Sequence, residues 1–225
     1  MNPRGAAVPS SVPALTAVVA ALALAALTVL VLRAGEPFAP DRAALAWSVD
    51  HRPDTARQLV TALTHTGSGP LPYAMVVAAG YRAGRATSRP VVWAAGFLAA
   101  LLGGQLLRFL LMTAVARTRP PEADWALHVS RHAFPSGHTA TAAMAAALVV
   151  AALLIHADGR TGAVDRAAGF LALWTVAVGA SRVYLGVHWF TDVVGGWLFA
   201  TAWIGALALL WQRRHPGGPL DPAPR

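Results

Sequence analysis

Long apolar stretches constrain this chain more than any other feature of its sequence. An α-helix needs about 20 apolar residues to cross the hydrocarbon core of a bilayer. In lipid, only helices and closed barrels pair all of their backbone hydrogen-bonding groups. Just 12% of the residues are charged, whereas soluble domains carry about 25%. The sequence therefore predicts an all-α fold, a polytopic membrane bundle of about six transmembrane helices, at residues 13–32, 71–81, 90–116, 138–155, 167–187 and 192–211.

The remaining segments define the predicted domain organisation. We expect an N-terminal cytoplasmic tail at residues 1–12, a six-helix transmembrane domain at residues 13–211 and a disordered cytoplasmic tail at residues 212–225. The first apolar stretch, at residues 13–32, has a second interpretation as a cleaved signal peptide. It is longer than the apolar core of a signal peptide, which runs for about 7–15 residues. The sequence therefore favours a retained helix.

The second apolar stretch is the weakest. Residues 36–65 before it are polar enough to lie outside the membrane, with a short amphipathic helix expected at residues 53–63. Residues 66–70, Thr-Gly-Ser-Gly-Pro, form a cluster that breaks helices. Residues 71–81 alone are too short to cross a bilayer. The second span therefore either draws on residues upstream of the break or ends inside the bundle.

The distribution of charge predicts the orientation in the membrane. With six spans, two groups of arginines fall on the same side as both termini, namely Arg82, Arg85 and Arg89, and Arg213 and Arg214. The positive-inside rule makes that side cytoplasmic. Residues 117–134 and 182–192 then fall together on the extracytoplasmic side. Arginines divide evenly between the two sides, and the acidic residues, concentrated outside, decide the balance.

Composition excludes several classes of protein. The formal net charge is +8, and all 18 basic residues are arginines, nearly all of which stand singly between apolar stretches. Nucleic-acid binding is not expected, because the sequence shows no basic run and no nucleic-acid motif. The arginines instead suit loops that lie against anionic lipid. With no cysteine, disulfides and cysteine metal sites are excluded. The expected partner is the lipid bilayer, and the oligomeric state is left open.

His188 and Asp192 form the first candidate for catalysis. They are four residues apart and would share one face of a helix. A carboxylate that accepts the proton of one ring nitrogen fixes the tautomer of a histidine and leaves the other nitrogen free to attack. A helix-capping aspartate near an interfacial histidine is the alternative. The neighbouring Ser181 and Arg182 favour the catalytic interpretation.

A second group of residues suits the binding of a phosphate. Ser136 is a natural N-cap, Gly137 lets the backbone approach a ligand, and the amides of a helix N-terminus bind anions. His138, in the same first turn, could protonate a departing oxygen. Arg119 and Arg182 offer planar, permanently charged forks for phosphate oxygens. Together with His188 and Asp192, these residues point to a membrane enzyme acting on a phosphate ester or anhydride.

These residues resemble the type 2 phosphatidic acid phosphatase superfamily. The signature of that family is Lys-x6-Arg-Pro, then Pro-Ser-Gly-His, then Ser-Arg-x5-His-x3-Asp. This chain matches the second element at residues 135–138 and the third at residues 181–192, and of the first it keeps Arg119 and Pro120. The resemblance implies a phosphatidic acid phosphatase type 2-like bundle.

The resemblance also implies a role for each residue. His188 would be the nucleophile that forms a phosphohistidine, oriented by Asp192, and His138 would be the general acid. The phosphate would be held by Arg119, Arg182, Ser136, Ser181 and Gly137. The implied enzyme is a hydrolase that needs no metal and no cofactor. Its implied substrate is a membrane lipid phosphate or pyrophosphate, such as phosphatidic acid, phosphatidylglycerol phosphate or undecaprenyl pyrophosphate.

One position departs from the family signature. The lysine of the first element falls at residue 112, which is Met112 here. Arg108 lies one helical turn earlier on the same face, and we predict that it supplies the missing positive charge to the phosphate. A simple snorkelling role for Arg108 is the alternative.

The departure at Met112 leaves other functions open. The chain could be a phosphotransferase of similar mechanism, or a lipid-binding homologue of reduced activity. A nucleophile would be superfluous for binding alone, and this favours catalysis. The superfamily also includes soluble vanadium-dependent haloperoxidases, against which the six apolar stretches and the small size count.

Overall fold

The computed structural model describes residues 11–157 and 161–215, and within them the chain is helical, with no strand. Eight α-helices follow one another: α1 Ser11–Ala34, α2 Ala39–Asp50, α3 Asp54–Thr66, α4 Pro70–Gly84, α5 Pro90–Val115, α6 Gly137–His156, α7 Gly162–Tyr184 and α8 Phe190–Arg214. The prediction of an all-α bundle is confirmed. The amphipathic helix expected at residues 53–63 corresponds to α3.

Five of the helices, α1 and α5 to α8, are long and apolar enough to cross a membrane. The fourth helix has 15 residues but runs beside α6 over most of its length. Ser68, just before α4, has its Oγ 2.9 Å from Nε2 of His138 at the start of α6. Near the end of α4, Nη2 of Arg82 lies 2.9 Å from Nε2 of His156 at the end of α6. We therefore count α4 as the sixth segment of the bundle.

The break before α4 is where the sequence places it. Gly67 ends α3, and Gly69 precedes α4 with a φ of 67°, a left-handed conformation that glycine adopts without steric cost. The weak second stretch does not extend upstream through this break. It lengthens at its other end, to Gly84.

The central helix of the bundle is α6, which packs against α4, α5, α7 and α8. Most of its buried side chains are alanines, and small side chains let neighbouring helices approach closely. Larger side chains from the surrounding helices fill the core around it, including Val76, Leu101 and Phe199. Because α6 begins at Gly137, the residues at its first turn are held at one end of the bundle.

Glycines in α5 and α8 let neighbouring segments pack closely against these helices. A Cβ on Gly104 would lie 2.7 Å from Nε1 of Trp203 on α8. A Cβ on Gly196 would lie 2.9 Å from the carbonyl oxygen of Ser136, and one on Gly195 would lie 2.8 Å from Cζ of Phe134. The glycines of α8 thus seat the segment that leads into α6.

The boundaries of the two tails differ slightly from the sequence prediction. The last helix continues through Gln212 to Arg214, so the predicted start of the C-terminal tail at residue 212 is three residues too early. The first helix includes residues 11 and 12. The rest of the predicted tails, residues 1–10 and 216–225, lies outside the described residues.

Candidate active site

Three segments meet at the end of the bundle where α6 begins. They are the connection between α5 and α6, the first turn of α6, and the turn between α7 and α8. Helices α2 and α3 pack over the same end, against α7 and α8. The motifs that the sequence singles out, far apart along the chain, are therefore brought together.

His188 lies in the turn before α8, 3% exposed. Its Nδ1 is 3.3 Å from Oδ2 of Asp192. The contact arises differently from the expectation of a shared helical face, because α8 begins only at Phe190. Asp192 reaches back from the first turn, where its Oδ2 also accepts a 2.8 Å hydrogen bond from the amide of Trp189. The aspartate thus caps α8 and orients His188 at once, so the two interpretations of this pair are not exclusive.

The other ring nitrogen of His188 faces Arg119. Nη1 of Arg119 lies 3.1 Å from His188 Nε2. A guanidinium can only donate hydrogen bonds, so Nε2 must carry the lone pair and Nδ1 must carry the proton that Asp192 accepts. Burial, the positive charge of Arg119 and then that of Arg182 lower the pKa of His188 well below 6.5. The structure therefore presents a neutral imidazole with its nucleophilic nitrogen toward the arginines.

Arg119 is anchored by backbone carbonyl groups. Its Nη1 donates to the carbonyl of Val187 at 2.5 Å, while Nε and Nη2 donate to the carbonyls of Ser130, Arg131 and His132 at 3.0–3.1 Å. Burial is the largest cause that lowers the pKa of Arg119. The negative charge of Asp192 raises this pKa, and the positive charge of Arg108 lowers it further. Because a guanidinium starts from a very high pKa, it stays charged. Arg119 therefore fixes both the connection before α6 and the turn that carries His188.

Arg182, near the end of α7, is 1% exposed. Its Nη1 donates a 3.1 Å hydrogen bond to Oγ1 of Thr64 on α3, and its Nε has no hydrogen-bond partner among the described residues. Leaving a buried donor unpaired costs about 1–3 kcal/mol, and more for a charged group. An unpaired N–H on a buried cation is therefore ready for an anionic acceptor.

The first turn of α6 brings its residues beside the other two segments. Ser136 is the N-cap residue, as predicted, but its hydroxyl accepts a 3.0 Å hydrogen bond from Thr139 Oγ1 and does not cap the helix. Its amide donates to the carbonyl of Asp192 at 3.0 Å, which ties the start of α6 to α8. His138 contacts Ser68 through Nε2, so its ring is held at the same end of the bundle.

Arg108 reaches this turn from α5. Its Nη1 donates to the carbonyl of Pro135 at 3.2 Å and lies 3.4 Å from Sδ of Met112. A Cβ on Gly137 would lie 3.4 Å from Cζ of Arg108. The guanidinium therefore lies beside the Pro-Ser-Gly-His segment, where the predicted substitute for the missing lysine would have to be.

Ser181 is the predicted phosphate ligand that the structure does not direct toward the other residues of the site. It is buried, and its hydroxyl donates to the carbonyl of Val178 one turn earlier in α7. Serine side chains within helices often make this local hydrogen bond. In this arrangement the Ser181 hydroxyl donates its hydrogen bond within α7. Contact between Ser181 and a phosphate stays a prediction.

Arg117 is a further residue of the site. From the sequence it is more typical of a positive charge in a loop, with a supporting role at the site as the alternative, and its side chain is only 9% exposed. It lies between two buried carboxylates, 2.7 Å from Oδ2 of Asp41 and 2.6 Å from Oδ1 of Asp192. Thr64 and Ser68, which contact Arg182 and His138, are not indicated as site residues by the sequence. No periodicity or motif marks them, because their importance comes from partners on distant parts of the chain.

The electrostatic balance of the site is positive. Arg119, Arg182 and Arg108 all act on His188 and disfavour its protonation. The nearest carboxylate, Asp192, is shared with Arg117. A site with several guanidinium groups and few free carboxylates favours an anion with several oxygen atoms, and a phosphate group fits that description.

Comparison with known proteins identifies similar sequences. Residues 14–216 match the model of the PAP2 superfamily. Over 146 residues, the chain is 36% identical to phosphatidylglycerophosphatase B of Bacillus subtilis (strain 168), a match that covers 62% of this chain and 67% of that protein. It is 37% identical over 90 residues to phosphatidylglycerophosphatase B of Escherichia coli (strain K12), covering 40% of this chain and 32% of that protein. The chain thus matches only about a third of the length of the second relative.

The fold is also similar to a solved structure. The crystal structure of the first transmembrane PAP2 type phosphatidylglycerolphosphate phosphatase from Bacillus subtilis superposes with a TM-score of 0.75. The alignment covers 90% of this chain and 98% of that one, at 24% sequence identity. At that identity the likeness concerns the fold.

Proposed function

The chain belongs to the PAP2 superfamily, and from this membership we propose that it hydrolyses the phosphate monoester of a membrane lipid through a phosphohistidine at His188. It is a multi-pass membrane protein and an enzyme of the phosphatase class. The substrate class we propose is phosphatidylglycerol phosphate, because the relatives with the matching sequence are named for it.

The arrangement around the His188 ring carries this proposal. Asp192 lies at Nδ1 and the donor Arg119 lies at Nε2, so the lone pair of Nε2 faces the arginines that would hold a phosphate. A nucleophile held by an orienting carboxylate, with charge-stabilising donors on its other side, is the arrangement expected for covalent catalysis.

The chemical steps follow from this arrangement. Nε2 of His188 attacks phosphorus, the bond from phosphorus to the ester oxygen breaks, and the departing alcohol takes a proton from His138. Asp192 stabilises the positive charge that develops on the His188 ring. A water molecule then attacks the phosphohistidine and loses its proton to His138, and the N–P bond breaks. Lipid phosphate and water thus become lipid alcohol and inorganic phosphate.

Three arginines would stabilise the transferring phosphoryl group. Arg182 has an unpaired Nε, Arg119 lies against the nucleophile, and Arg108 lies beside the amide-bearing turn at the start of α6. Charge on phosphoryl oxygens grows or shifts in the transition state, and fixed donors that need no reorganisation stabilise it most. Ser136 and Gly137 would contribute from the N-terminus of α6.

We place the site on the extracytoplasmic face. At the site end, Arg33, Arg42, Arg57 and Arg131 are exposed, and so are the acidic residues Glu36, Asp50, Asp54 and Glu122. At the opposite end the exposed arginines are Arg82, Arg85, Arg89, Arg166, Arg213 and Arg214, with Asp165 as the exposed acidic residue among the described residues. The opposite end therefore carries the larger excess of positive charge, which marks the cytoplasmic side. A lipid substrate could then keep its tails in the bilayer while its phosphate enters the site.

Phosphate release by purified protein in detergent tests the proposal. The assay contains EDTA and a panel of phosphatidylglycerol phosphate, phosphatidic acid and undecaprenyl pyrophosphate. We expect release that His188→Ala abolishes and that His215→Ala, an exposed histidine at the far end of the bundle, leaves intact. Release that persists in folded His188→Ala would contradict the proposal, and faster turnover of another lipid in the panel would reassign the substrate.

A further inference from the structure

A buried ion-pair network links α2 to the catalytic pair. Asp41, in the first turn of α2, is fully buried. Nη2 of Arg117 lies 2.7 Å from Asp41 Oδ2, and Nη1 of the same guanidinium lies 2.6 Å from Asp192 Oδ1. One arginine therefore joins two carboxylates that belong to different helices.

The two oxygens of Asp192 have different partners. Oδ1 accepts from Arg117, whereas Oδ2 faces Nδ1 of His188 and accepts from the amide of Trp189. A carboxylate is planar, so fixing one oxygen fixes the plane in which the other lies. The position of Arg117 therefore sets the direction from which Asp192 meets the His188 ring.

Asp41 in turn fixes Arg117 and the start of α8. Its Oδ1 accepts a 2.8 Å hydrogen bond from the amide of Thr191, and the Thr191 hydroxyl lies 2.9–3.0 Å from both oxygens of Asp41. The same hydroxyl accepts from Nη1 of Arg117 at 2.7 Å. Asp41 and Arg117 thus hold each other and both hold the residue next to Asp192.

Such a network is costly unless it serves a purpose. Burying an ion pair in place of apolar side chains often gives no net stability, and breaking one leaves an uncompensated charge. Here two carboxylates and one guanidinium are buried together, with a surplus of negative charge. Asp41 also caps α2, since its Oδ2 accepts a 3.2 Å hydrogen bond from the amide of Phe38, but capping a helix does not require a buried arginine shared with Asp192.

We infer that Asp41 is a positioning residue for catalysis: through Arg117 it orients the Asp192 carboxylate, and so the His188 nucleophile. This inference rests on the proposed function of His188. Asp41 lies next to neither His188 nor the phosphate-binding arginines in the hydrogen-bond network. Its removal should therefore slow the attack without weakening the binding of substrate.

Asp41→Asn is the direct test. Asparagine keeps the size of the side chain but has one acceptor oxygen, which cannot serve both Arg117 and Thr191. We expect kcat to fall about 10- to 100-fold. Effects of this size are found when the hydrogen-bond partners that orient metal-binding side chains are removed. KM, and inhibition by inorganic phosphate, should stay unchanged. Asp54→Asn is the matched control, because Asp54 pairs with Arg57 at 3.0 Å on the exposed surface of α3.

Arg117→Lys provides a second test if Asp41→Asn fails to fold. Lysine keeps the positive charge between the carboxylates, but a single ammonium cannot reproduce the two-pronged contact of Nη1 and Nη2. We expect the same pattern, a lower kcat at constant KM. Unchanged kcat in the folded variants would overturn the inference, as would a raised KM at constant kcat.

His188→Ala separates the two claims. If His188→Ala is inactive while Asp41→Asn and Arg117→Lys match the Asp54→Asn control, the positioning role fails and the proposed function stands. If the wild-type protein releases no phosphate, or His188→Ala still does, both claims fail, because Asp41 would have no nucleophile to orient.

Discussion

At the scale of single residues, the surroundings of Met112 bear on the prediction that Arg108 replaces the lysine of the family signature. The Arg108 guanidinium lies 3.4 Å from Met112 Sδ and donates to the Pro135 carbonyl. A lysine at residue 112 would place a second positive charge next to Arg108. The two positions therefore offer the same charge from adjacent turns of α5, and we predict that one of them is enough.

A reciprocal exchange tests this compensation. We expect Arg108→Ala to lower kcat/KM by about 10²- to 10³-fold, the effect of removing one donor that stabilises a transition state. Met112→Lys added to Arg108→Ala should recover much of that loss, whereas Met112→Lys alone should not raise activity. Steady-state kinetics on the proposed substrate measures all three. If Arg108→Ala matches the wild-type enzyme while Arg119→Ala is inactive, Arg108 is a snorkelling residue.

The lowered pKa of His188 makes a prediction for the acid side of the pH profile. Burial, Arg119 and Arg182 hold that pKa well below 6.5. A lowered pKa means that His188 stays neutral, and able to attack, until the pH falls far below 6.5. Protonation of His188 is therefore not expected to lower kcat/KM near pH 6, whereas the substrate phosphate, whose second pKa is about 6, does ionise there.

The slope of the profile distinguishes the two cases. A plot of log kcat/KM against pH, which reports on the free enzyme and free substrate, should fall with a slope of at most one between about pH 6.5 and 5. A slope of two over that range would require a second protonation besides that of the substrate, and its assignment to His188 would contradict the arrangement described here.

How much of the site the sequence could predict depends on how local each interaction is. His188, Asp192, His138 and Arg119 stand in motifs whose spacing alone suggests their chemistry. Asp41 could not be found in this way. Its partner Arg117 is 76 positions along the chain, and a single aspartate in a mixed polar segment carries no signal of burial.

At the scale of elements, close packing against α8 fixes the position of the segment that leads into α6. Phe134 and Ser136, just before α6, rest directly on Gly195 and Gly196. The amide of Ser136 also donates to the Asp192 carbonyl. The start of α6, with His138, is therefore positioned by the same helix that carries Asp192.

Gly195→Ala should disturb this contact. The new Cβ would lie 2.8 Å from Cζ of Phe134, so the segment before α6 has to move, and overpacking of this kind costs about 1–3 kcal/mol. We expect a lower melting temperature in detergent and a lower kcat. The matched control is Gly169→Ala in α7, where no atom lies within 4 Å of the added Cβ. Equal behaviour of the two variants would show that the contact does not matter.

The helices could be predicted unevenly. The long apolar stretches gave α1 and α5 to α8 because about 20 apolar residues leave few alternatives. The second helix was not predicted, although Pro40 and Asp41 at its start are typical of a helix N-terminus. Its mixed composition hides the face that packs on α7 and α8. Contacts with distant helices, which a local pattern does not contain, decide that α2 covers the site.

At the scale of the whole molecule, the candidate site lies at one end of the bundle, and the arginines Arg82, Arg85, Arg89, Arg213 and Arg214 lie at the other. Six segments that alternate in direction place both ends of the described chain opposite the site. The approximate number of helices, and the fact that the motifs fall at one end of the bundle, could be reasoned from sequence, because both follow from counting apolar stretches. The extracytoplasmic side of that end stays a prediction. The burial of each side chain could not be reasoned from the sequence in this way.

The orientation can be measured with single cysteines, because the chain has none of its own. Ser130→Cys lies in an exposed position of the connection before α6, and Ser88→Cys lies in an exposed position between α4 and α5. In intact cells, a membrane-impermeant thiol reagent should label Ser130→Cys and spare Ser88→Cys until the membrane is opened. The reverse pattern would place the site on the cytoplasmic face.

The central claim is that His188 itself carries the phosphoryl group between the two halves of the reaction. The measurement is rapid alkaline quenching of the enzyme with lipid labelled in its terminal phosphate, followed by proteolysis and identification of the labelled peptide. We predict label on His188, stable to alkali and lost in acid, and none in His188→Ala. Continued phosphate release with no label on the protein, or label on His138 instead, would contradict the account.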